Sequence, residues 1–270
     1  LDYLPAVFEL CDREQIDAVV CVEDYDVSRL AEARTQFVDR GIVPLFPSPA
    51  VTELARDKYR MCTFLNENGI ATPRTAISLE EASDFVYPLY VKPRRGHGSN
   101  QIFLARTERE LAVFFAYAPD MIIQEAAPGE EINIQLCSDF DGRPVGMCVL
   151  RKKGMRHGET AQAETFRDPA VMDFGLRLGE LLGATGPMDV DLMQDGDRLM
   201  VLEANTRFGG GYPVSHLAGA DFPKLLLELV RFGKVLEPHF GFAAGVVMLK
   251  GLKIMGGPSD HFFRDELGIG

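Results

Sequence analysis

Paired cysteines are missing from this 270-residue sequence. Its five cysteines (Cys11, Cys21, Cys62, Cys137 and Cys148) lie far apart, are odd in number and form no CxxC. That pattern excludes a disulfide framework and marks them as packing residues of a chain expected in a reducing, cytoplasmic setting. Apolar runs are short as well: none approaches the roughly 18 to 20 residues of a membrane span, and no basic-then-apolar leader opens the chain. Leu1 stands where Met is usual, which leaves the native start, and a lost signal, open. Positive charge is scarce, with 28 Lys+Arg against 40 Asp+Glu and a net charge of -12. A field of that sign repels nucleic acid and anionic membrane, so any phosphate site must be local. Internal repeats, low-complexity segments, a GxxxxGK[ST] loop and a GxGxxG turn are all absent.

What remains is an ordinary globular composition, 46% hydrophobic and 25% charged, long enough for more than one domain. The first segment alternates helix and strand: an amphipathic stretch to about Glu14, the run "AVVCV", a helix from about Val27 to Asp39, and "GIVPLF". Such alternation predicts a parallel sheet with crossover helices. Ser48 and Pro49 read as the cap and first position of a helix, and Gly69 as the stop of the next. A small α+β unit follows: a strand from Arg74, a helix over 79–85, "PLYVKP", the loop "RRGHGSN", "QIFLA", a helix over 107–116 and "MIIQEA". Then come two strands joined across "DFDGR", a polar stretch "RKKGMRHGETAQAE" expected to be mobile, and a helix over 170–182. The hairpin "GPMDVDLMQDGDRLMVLEAN" and a helix capped by Asp221 complete the legible part. The division expected is 1–55, 56–125 and 126–270.

The stretch "VLEANTRFGGG" (201–211) carries the first chemical signal. Side chains alternate along a strand, so Val201, Glu203 and Asn205 share one face, and Asp189 and Asp191 share a face of the preceding strand. A two-residue turn would send Asp191 to the side opposite Glu203; an odd-length loop would bring Asp191, Glu203 and Asn205 together. The odd loop is the expectation. Three oxygen-bearing side chains without His or Cys suit a hard cation such as Mg²⁺, although a solvated acidic hairpin reads the same way. Lys92 follows "PLYV" and precedes a loop in which Gly96 and Gly98 free the backbone amides to face an anion, with Arg94, Arg95 and His97 beside them. Lys58 opens a helix in "ARDKYR".

In order and spacing, DK…VKPxxGxGS…QExxxGxE…D…ExNxRxGGG resembles the ATP-grasp superfamily, and "EANTRFGGGYPVSHLAGAD" is similar to its carbamoyl-phosphate-synthase-like, carboxylate–amine ligase branch. The resemblance spans about residues 15 to 235. It implies two α+β lobes clasping ATP, preceded by a partial Rossmann-like unit. By the same resemblance Lys58 and Lys92 contact the α and β phosphates, and the loop with Gly96, Gly98 and Ser99 closes over the triphosphate. Gln124, Glu125 and Ala127 hold the adenine edge, and Glu131, with Glu130 as competitor, holds the ribose. Asp191, Glu203 and Asn205 bind two Mg²⁺ ions, with Mn²⁺ as a substitute, while Arg207 faces the acyl phosphate.

Arg151, with Lys152, Lys153 and Arg156 close by, is a second candidate for stabilising the phosphoryl group, a solvated basic loop being the rival reading. Asp189 is placed beside the metal, and His216 at most near substrate. Only 57 residues precede Lys58, fewer than the roughly one hundred of a full preceding domain, which leaves substrate binding by that region open. Asn-Thr-Arg stands where Asn-Pro-Arg is usual.

The expected activity is an ADP-forming ligase that activates a small carboxylate and joins it to an amine. A carbamate- or carboxylate-phosphorylating, carbamoyl-phosphate-synthase-like subunit and a non-catalytic ATP-binding module are the alternatives. A homodimer is expected by symmetry statistics, and neither nucleic acid nor membrane is an expected partner.

Overall fold

The structure is a computed structural model that describes residues 3–96, 98, 100–156 and 158–251. Ser99, His97 and the "HFF" of the tail lie outside the described residues.

The chain opens with α1 (Tyr3–Glu14), β1 (Ala18–Val20), α2 (Asp24–Glu32), α3 (Arg34–Asp39) and β2 (Val43–Leu45). β1 and β2 pair in parallel, Ala18 opposite Val43, and the helices cover them through a cluster that includes Phe8, Phe37 and Phe46. The helix expected over 27–39 is two helices. It breaks at Ala33, where the Arg34 guanidinium turns aside to donate to the Pro44 carbonyl at 3.3 Å.

Next come α4 (Pro49–Arg56) and α5 (Lys58–Glu67). Ser48 accepts from the Val51 amide to start α4, and Asp57 accepts from the Arg60 amide to start α5, so each helix begins on a side-chain oxygen that satisfies an orphan donor.

A four-stranded antiparallel sheet follows, built from β3 (Thr75–Ala76), β4 (Leu89–Pro93), β5 (Phe103–Ala105), α6 (Glu108–Phe115) packed against it, and β6 (Met121–Glu125), in the order β3-β6-β4-β5. The helix expected over 79–85 is a run of turns instead. Among its residues only Ala82 is buried, and a single turn with so little apolar contact cannot offset the cost of nucleating a helix.

The remaining elements are β7 (Glu130–Ser138), β8 (Pro144–Arg156), β9 (Glu159–Thr165), α7 (Pro169–Leu182), β10 (Gly186–Asp195), β11 (Arg198–Asn205), α8 (Tyr212–Leu217), α9 (Phe222–Phe232) and β12 (Val247–Leu249). The six strands order as β11-β10-β7-β8-β9-β12. One face of this sheet carries Ile132, Ile134, Leu136, Met147, Val149 and Val190 into the main core, under α7 and α9 and against Met61 and Leu65 of α5. Each such fully buried side chain contributes on the order of 1.5 to 3 kcal/mol of transfer free energy.

The polar stretch expected to be mobile is the long β8–β9 pair, with Arg151 opposite Glu164 and Arg156 opposite Glu159. Its polarity reflects a sheet face turned to a cleft rather than to the core. All five cysteines are buried and free, and no helix among the described residues is long and apolar enough to cross a membrane.

Candidate functional site

The hairpin β10–β11 builds the floor of the site, and its register arises in an unexpected way. Asp195 pairs with Arg198 across a two-residue Gly196-Asp197 turn, with Gly196 at a φ of 58°. The loop is therefore even, not odd, and continuing this pairing would have put Asp191 opposite Leu202. A β-bulge between the Leu192–Val201 and Asp191–Glu203 pairs inserts one extra residue on β11. Beyond it Asp191 lies opposite Glu203 and Asp189 opposite Asn205. The three oxygen-bearing side chains meet after all, through a bulge instead of a loop.

Cations crowd this floor. Lys152 of β8 donates to Asp191 Oδ1 at 2.7 Å and to Glu131 Oε1 at 2.8 Å, its side chain only 7% exposed. Lys58 Nζ lies 3.5 Å from Glu203 Oε2 and donates to the Gly96 carbonyl at 2.6 Å. Lys92, buried at the end of β4, is pushed below the usual lysine value by burial, with Glu203 opposing and Lys58 adding to the fall. Burial would raise the Glu203 carboxyl, but Lys58, Lys92 and Lys152 together bring it below its usual value. Asp191 goes the other way. Burial, reinforced by Asp189 and Glu203 against the pull of Lys152, pushes it up to about 7. Carboxylates forced together in this way call for a cation.

Beside them a buried amide pair completes the network. Asn133 donates to Asp189 Oδ1 at 2.6 Å and to Asp191 Oδ1 at 2.7 Å, and Gln135 donates to Asp189 Oδ1 as well. Arg207 donates to Asp189 Oδ2 at 3.3 Å, to the Phe208 carbonyl at 3.1 Å and to Asp24 Oδ2 at 2.7 Å. Burial alone would lower the Arg207 pKa, but Asp24 and Asp189 hold it well above its usual value, a permanent cation. Asp24, the first residue of α2, thereby joins the N-terminal elements to the hairpin.

These groups line a cleft of about 660 Å³ between the two antiparallel sheets. One end holds Gln124, Glu125, Ala127 and Glu131 with the apolar walls Tyr90, Ile102, Met193 and Leu202; the other holds Glu23, Asp24, Arg207, Phe208 and the backbone of Gly209 and Gly210. A smaller compartment of about 230 Å³ adjoins it across Asp24, Glu203 and Asn205, and Lys58, Gly96 and Arg95 border it. Above the cleft the glycine loop reaches the β8–β9 turn. A Cβ added at Gly158 would overlap the Gly98 carbonyl and stand 3.0 Å from its Cα.

Most of the residues singled out from sequence thus come together: Lys58, Lys92, Gly96, Gly98, Gln124, Glu125, Ala127, Glu131, Asp191, Glu203, Asn205 and Arg207 all border the cleft or its side compartment. Within the group, the Gln124 side chain turns to Thr75 Oγ1 at 2.8 Å, and the Glu125 amide is committed to the Arg74 carbonyl at 3.0 Å. Arg151 is the exception. Its guanidinium stands 3.8 Å over the Phe166 ring and bonds Glu130, on the opposite face of the strand from the cleft. Strand alternation turns Lys152 inward in its place, and for the same reason Glu131 faces the cleft while Glu130 meets Lys153. His216 is half exposed beside Asp221, at 3.6 Å. Asp24, Asn133 and Gln135 were missed by sequence reasoning. The alternation of polar residues within "INIQL" signals the last two.

Oxygen donors on adjacent strands suit Mg²⁺. No three His, Cys, Asp or Glu side chains among the described residues form a cage by themselves, and a Mg²⁺ ion held by one or two carboxylates takes the rest of its shell from phosphate and water.

An ATP-grasp domain model matches residues 55–211. The D-alanine–D-alanine ligase of Nitratidesulfovibrio vulgaris is 30% identical over 215 residues, covering 68% of this chain and 70% of that protein. The carbamoyl phosphate synthase large chain of Clostridium beijerinckii is 22% identical over 256 residues, 87% of this chain but 24% of that one, so this chain spans about a quarter of its length. Among solved structures, the biotin carboxylase domain of Hydrogenobacter thermophilus 2-oxoglutarate carboxylase, in complex with MgADP, superposes with a TM-score of 0.73 at 18% identity over 88% of this chain and 59% of that one. The D-alanine–D-alanine ligase of Bacillus anthracis superposes at 0.65 and 20% identity, covering 85% and 83%.

Proposed function

The chain belongs to the ATP-grasp family, and from that membership we propose that it is an ATP- and Mg²⁺-dependent ligase that activates a small carboxylate as an acyl phosphate and joins it to an amine, releasing ADP. The observation that carries this reading is the convergence of Lys58, Lys92 and Lys152 on the Asp191–Glu203 pair, with Arg207 farther along the same cleft. Lysines are compact charges suited to phosphate, and they are set here where a γ-phosphoryl group would leave ADP.

In this reading the base lies between Tyr90, Ile102, Met193 and Leu202. The Glu125 amide is already used, so the carbonyl of Glu125 and the amide of Ala127 meet the adenine edge. Glu131 faces the ribose with the oxygen that Lys152 leaves free. Asp191, Glu203 and Asn205 would hold two ions, Mn²⁺ serving in place of Mg²⁺. Bound metal neutralises charge on the phosphate oxygens. Arg207 is oriented by Asp24 and Asp189 toward the substrate end, where the carboxylate is phosphorylated and the amine attacks. The glycine loop, against Gly158, keeps water from the acyl phosphate. Residues 1–55, 56–125 and 126–270 act in this scheme as substrate-end unit, nucleotide lid and catalytic lobe, and the enzyme works as a homodimer.

The direct test is a screen of amino acids and other small acids, each with an amine, for stimulated nucleotide cleavage by the purified protein with MgATP. ADP appearing only when acid and amine are both present supports the ligase; AMP and pyrophosphate overturn it.

Two further outcomes follow from the site's electrostatics. Lys152→Met lowers turnover by about a hundredfold, since a preorganised charge facing the reacting group is lost, whereas Arg151→Met, which removes a surface pair, changes it by less than about threefold. Equal effects would show that the face assignment is wrong. The Asp191 carboxyl, raised from its ordinary value to about 7, must ionise to bind metal. Mg²⁺ affinity measured in the presence of ADP therefore rises as pH goes from 6 to 8. Because the folded pKa lies above the unfolded one, the metal-free fold has the opposite trend: the stabilisation supplied by the Asp191 proton is complete below about 4 and is lost as pH rises through about 7. Calorimetric titrations at pH 6, 7 and 8 that give a flat Mg²⁺ affinity would remove Asp191 from the metal site.

A further inference from the structure

The Asp-Lys pair at the start of α5 carries more than its lysine. Asp57 is fully buried, and its two oxygens accept four bonds: from the Arg60 amide at 3.1 Å, from Arg94 Nε and Nη2 at 2.7 Å each, and from Arg95 Nη2 at 2.9 Å. Its neighbour Lys58 is stitched to the same loop twice, by its amide to the Arg94 carbonyl at 3.1 Å and by its ammonium to the Gly96 carbonyl at 2.6 Å. Beyond Asp57 the Arg95 guanidinium reaches Glu53 at 2.9 Å and Asp120 at 3.4 Å, that of Arg94 lies 3.9 Å from Asp120, and the Arg94 amide donates to the Asp120 carbonyl at 2.8 Å.

We propose that Asp57 is a positioning residue that locks the helix start bearing Lys58 to the root of the glycine loop, so that the lysine and the loop root up to Gly96 are presented to a polyphosphate in one fixed arrangement. This rests on the nucleotide reading of the cleft. A buried carboxylate is tolerated only when its oxygens are saturated by charged donors, and here both are. Its yield is preorganisation. Without the anchor, Lys58 and the loop root at 94–96 must be brought into place each time phosphate binds, and affinity falls by that ordering cost. With Arg94 and Arg95 held, the root of the loop as far as Gly96 is fixed. Asp57 borders neither compartment of the cleft, and the Gln124–Ala127 end belongs to a different strand, so the effect is confined to phosphate.

That confinement supplies the test. Adenosine, ADP and ATP, with Mg²⁺, are titrated calorimetrically into the wild-type protein and into Asp57→Asn, Arg94→Lys and Arg95→Gln. Asp57→Asn keeps an oxygen to cap α5 while removing the charge. Asp57→Asn and Arg94→Lys weaken ATP by about tenfold or more, the equivalent of one or two charge-assisted bonds, and ADP less, while adenosine stays within about twofold. Arg95→Gln has the smallest effect, since Arg94 keeps its two bonds to Asp57. Unchanged ATP affinity in Asp57→Asn, or a parallel loss of adenosine and ATP as general unfolding would give, overturns the proposal. Should Asp57→Asn fail to fold, Arg94→Lys, which leaves the cap intact, gives the same discrimination. A wild-type protein that binds none of the three ligands ends the nucleotide reading and this inference with it, whereas normal wild-type binding with an indifferent Asp57→Asn ends the inference alone.

Discussion

Glu203→Gln is expected to lower ADP formation by at least about a thousandfold, the scale of losing a group proposed both to hold metal and to organise the charges around the reacting phosphate. Glu203 stands at the intersection of the site. It lies opposite Asp191 across the hairpin, 3.5 Å from Lys58, and it is the carboxylate that most opposes the fall in the Lys92 pKa. Neutralising it removes the charge of one proposed metal oxygen and also leaves the two lysines without their shared anion. Lys92 is already pushed down by burial, so in the variant it sheds its proton more readily. A lysine that holds its proton less firmly attracts phosphate less. Nucleotide affinity consequently falls together with turnover, while the thermal midpoint moves little. ADP release, MgADP titration and a melting curve on the same preparation separate these effects. Turnover within tenfold of wild type would mean that neither metal nor phosphate depends on this carboxylate.

How far the site could be read from residues alone is visible in the same hairpin. Alternation groups Glu203 with Asn205 and Asp189 with Asp191, because period two is a property of any strand. It does not say which pair faces which, since that depends on the turn and on any bulge, and a bulge at Leu202 has no distinctive residue to announce it. Lys152 and Arg151 show the converse. They sit in a polar stretch without apolar alternation, which gives no sign of a strand, and without a strand there is no face to assign. The β8–β9 pair is polar because it borders a cleft, which is information about tertiary structure. The Asp24–Arg207 ion pair joins residues 183 apart and leaves no local trace. The helix expected over 79–85 has the composition of one but buries too little, Ala82 and part of Phe85, to hold it. In contrast, the caps at Ser48 and Asp221 act within three residues, and these short-range features were the most legible.

Gly209→Ala is expected to be more damaging than its size suggests. The added Cβ would fall inside the contact distance of the Asp189 carboxylate and 2.6 Å from Gln135 Nε2. Neither neighbour can yield cheaply. Asp189 is held by Asn133, Gln135 and Arg207, and Gln135 is a buried amide in the middle of β7. Relief requires either that the backbone of the glycine run back away from the floor or that Asp189 break its bonds, which leaves a buried amide and a buried guanidinium short of an acceptor. Overpacking and a broken charge pair together destabilise by about 2 to 5 kcal/mol, or roughly 5 to 15 °C in Tm for a chain of this size. The consequence for chemistry is separable from that for stability. Arg207 loses Asp189 and is left with Asp24, so its guanidinium swings toward the N-terminal elements, whereas Lys58, Lys92 and the Gln124–Ala127 end are untouched. At a temperature where the variant is still folded, MgADP binding stays within about threefold while coupled turnover falls by about a hundredfold, the scale of misplacing one catalytic group by an ångström. A variant that melts normally and turns over normally would show that the network around Asp189 adapts freely, and Arg207 would then have no claim to a position fixed by two carboxylates.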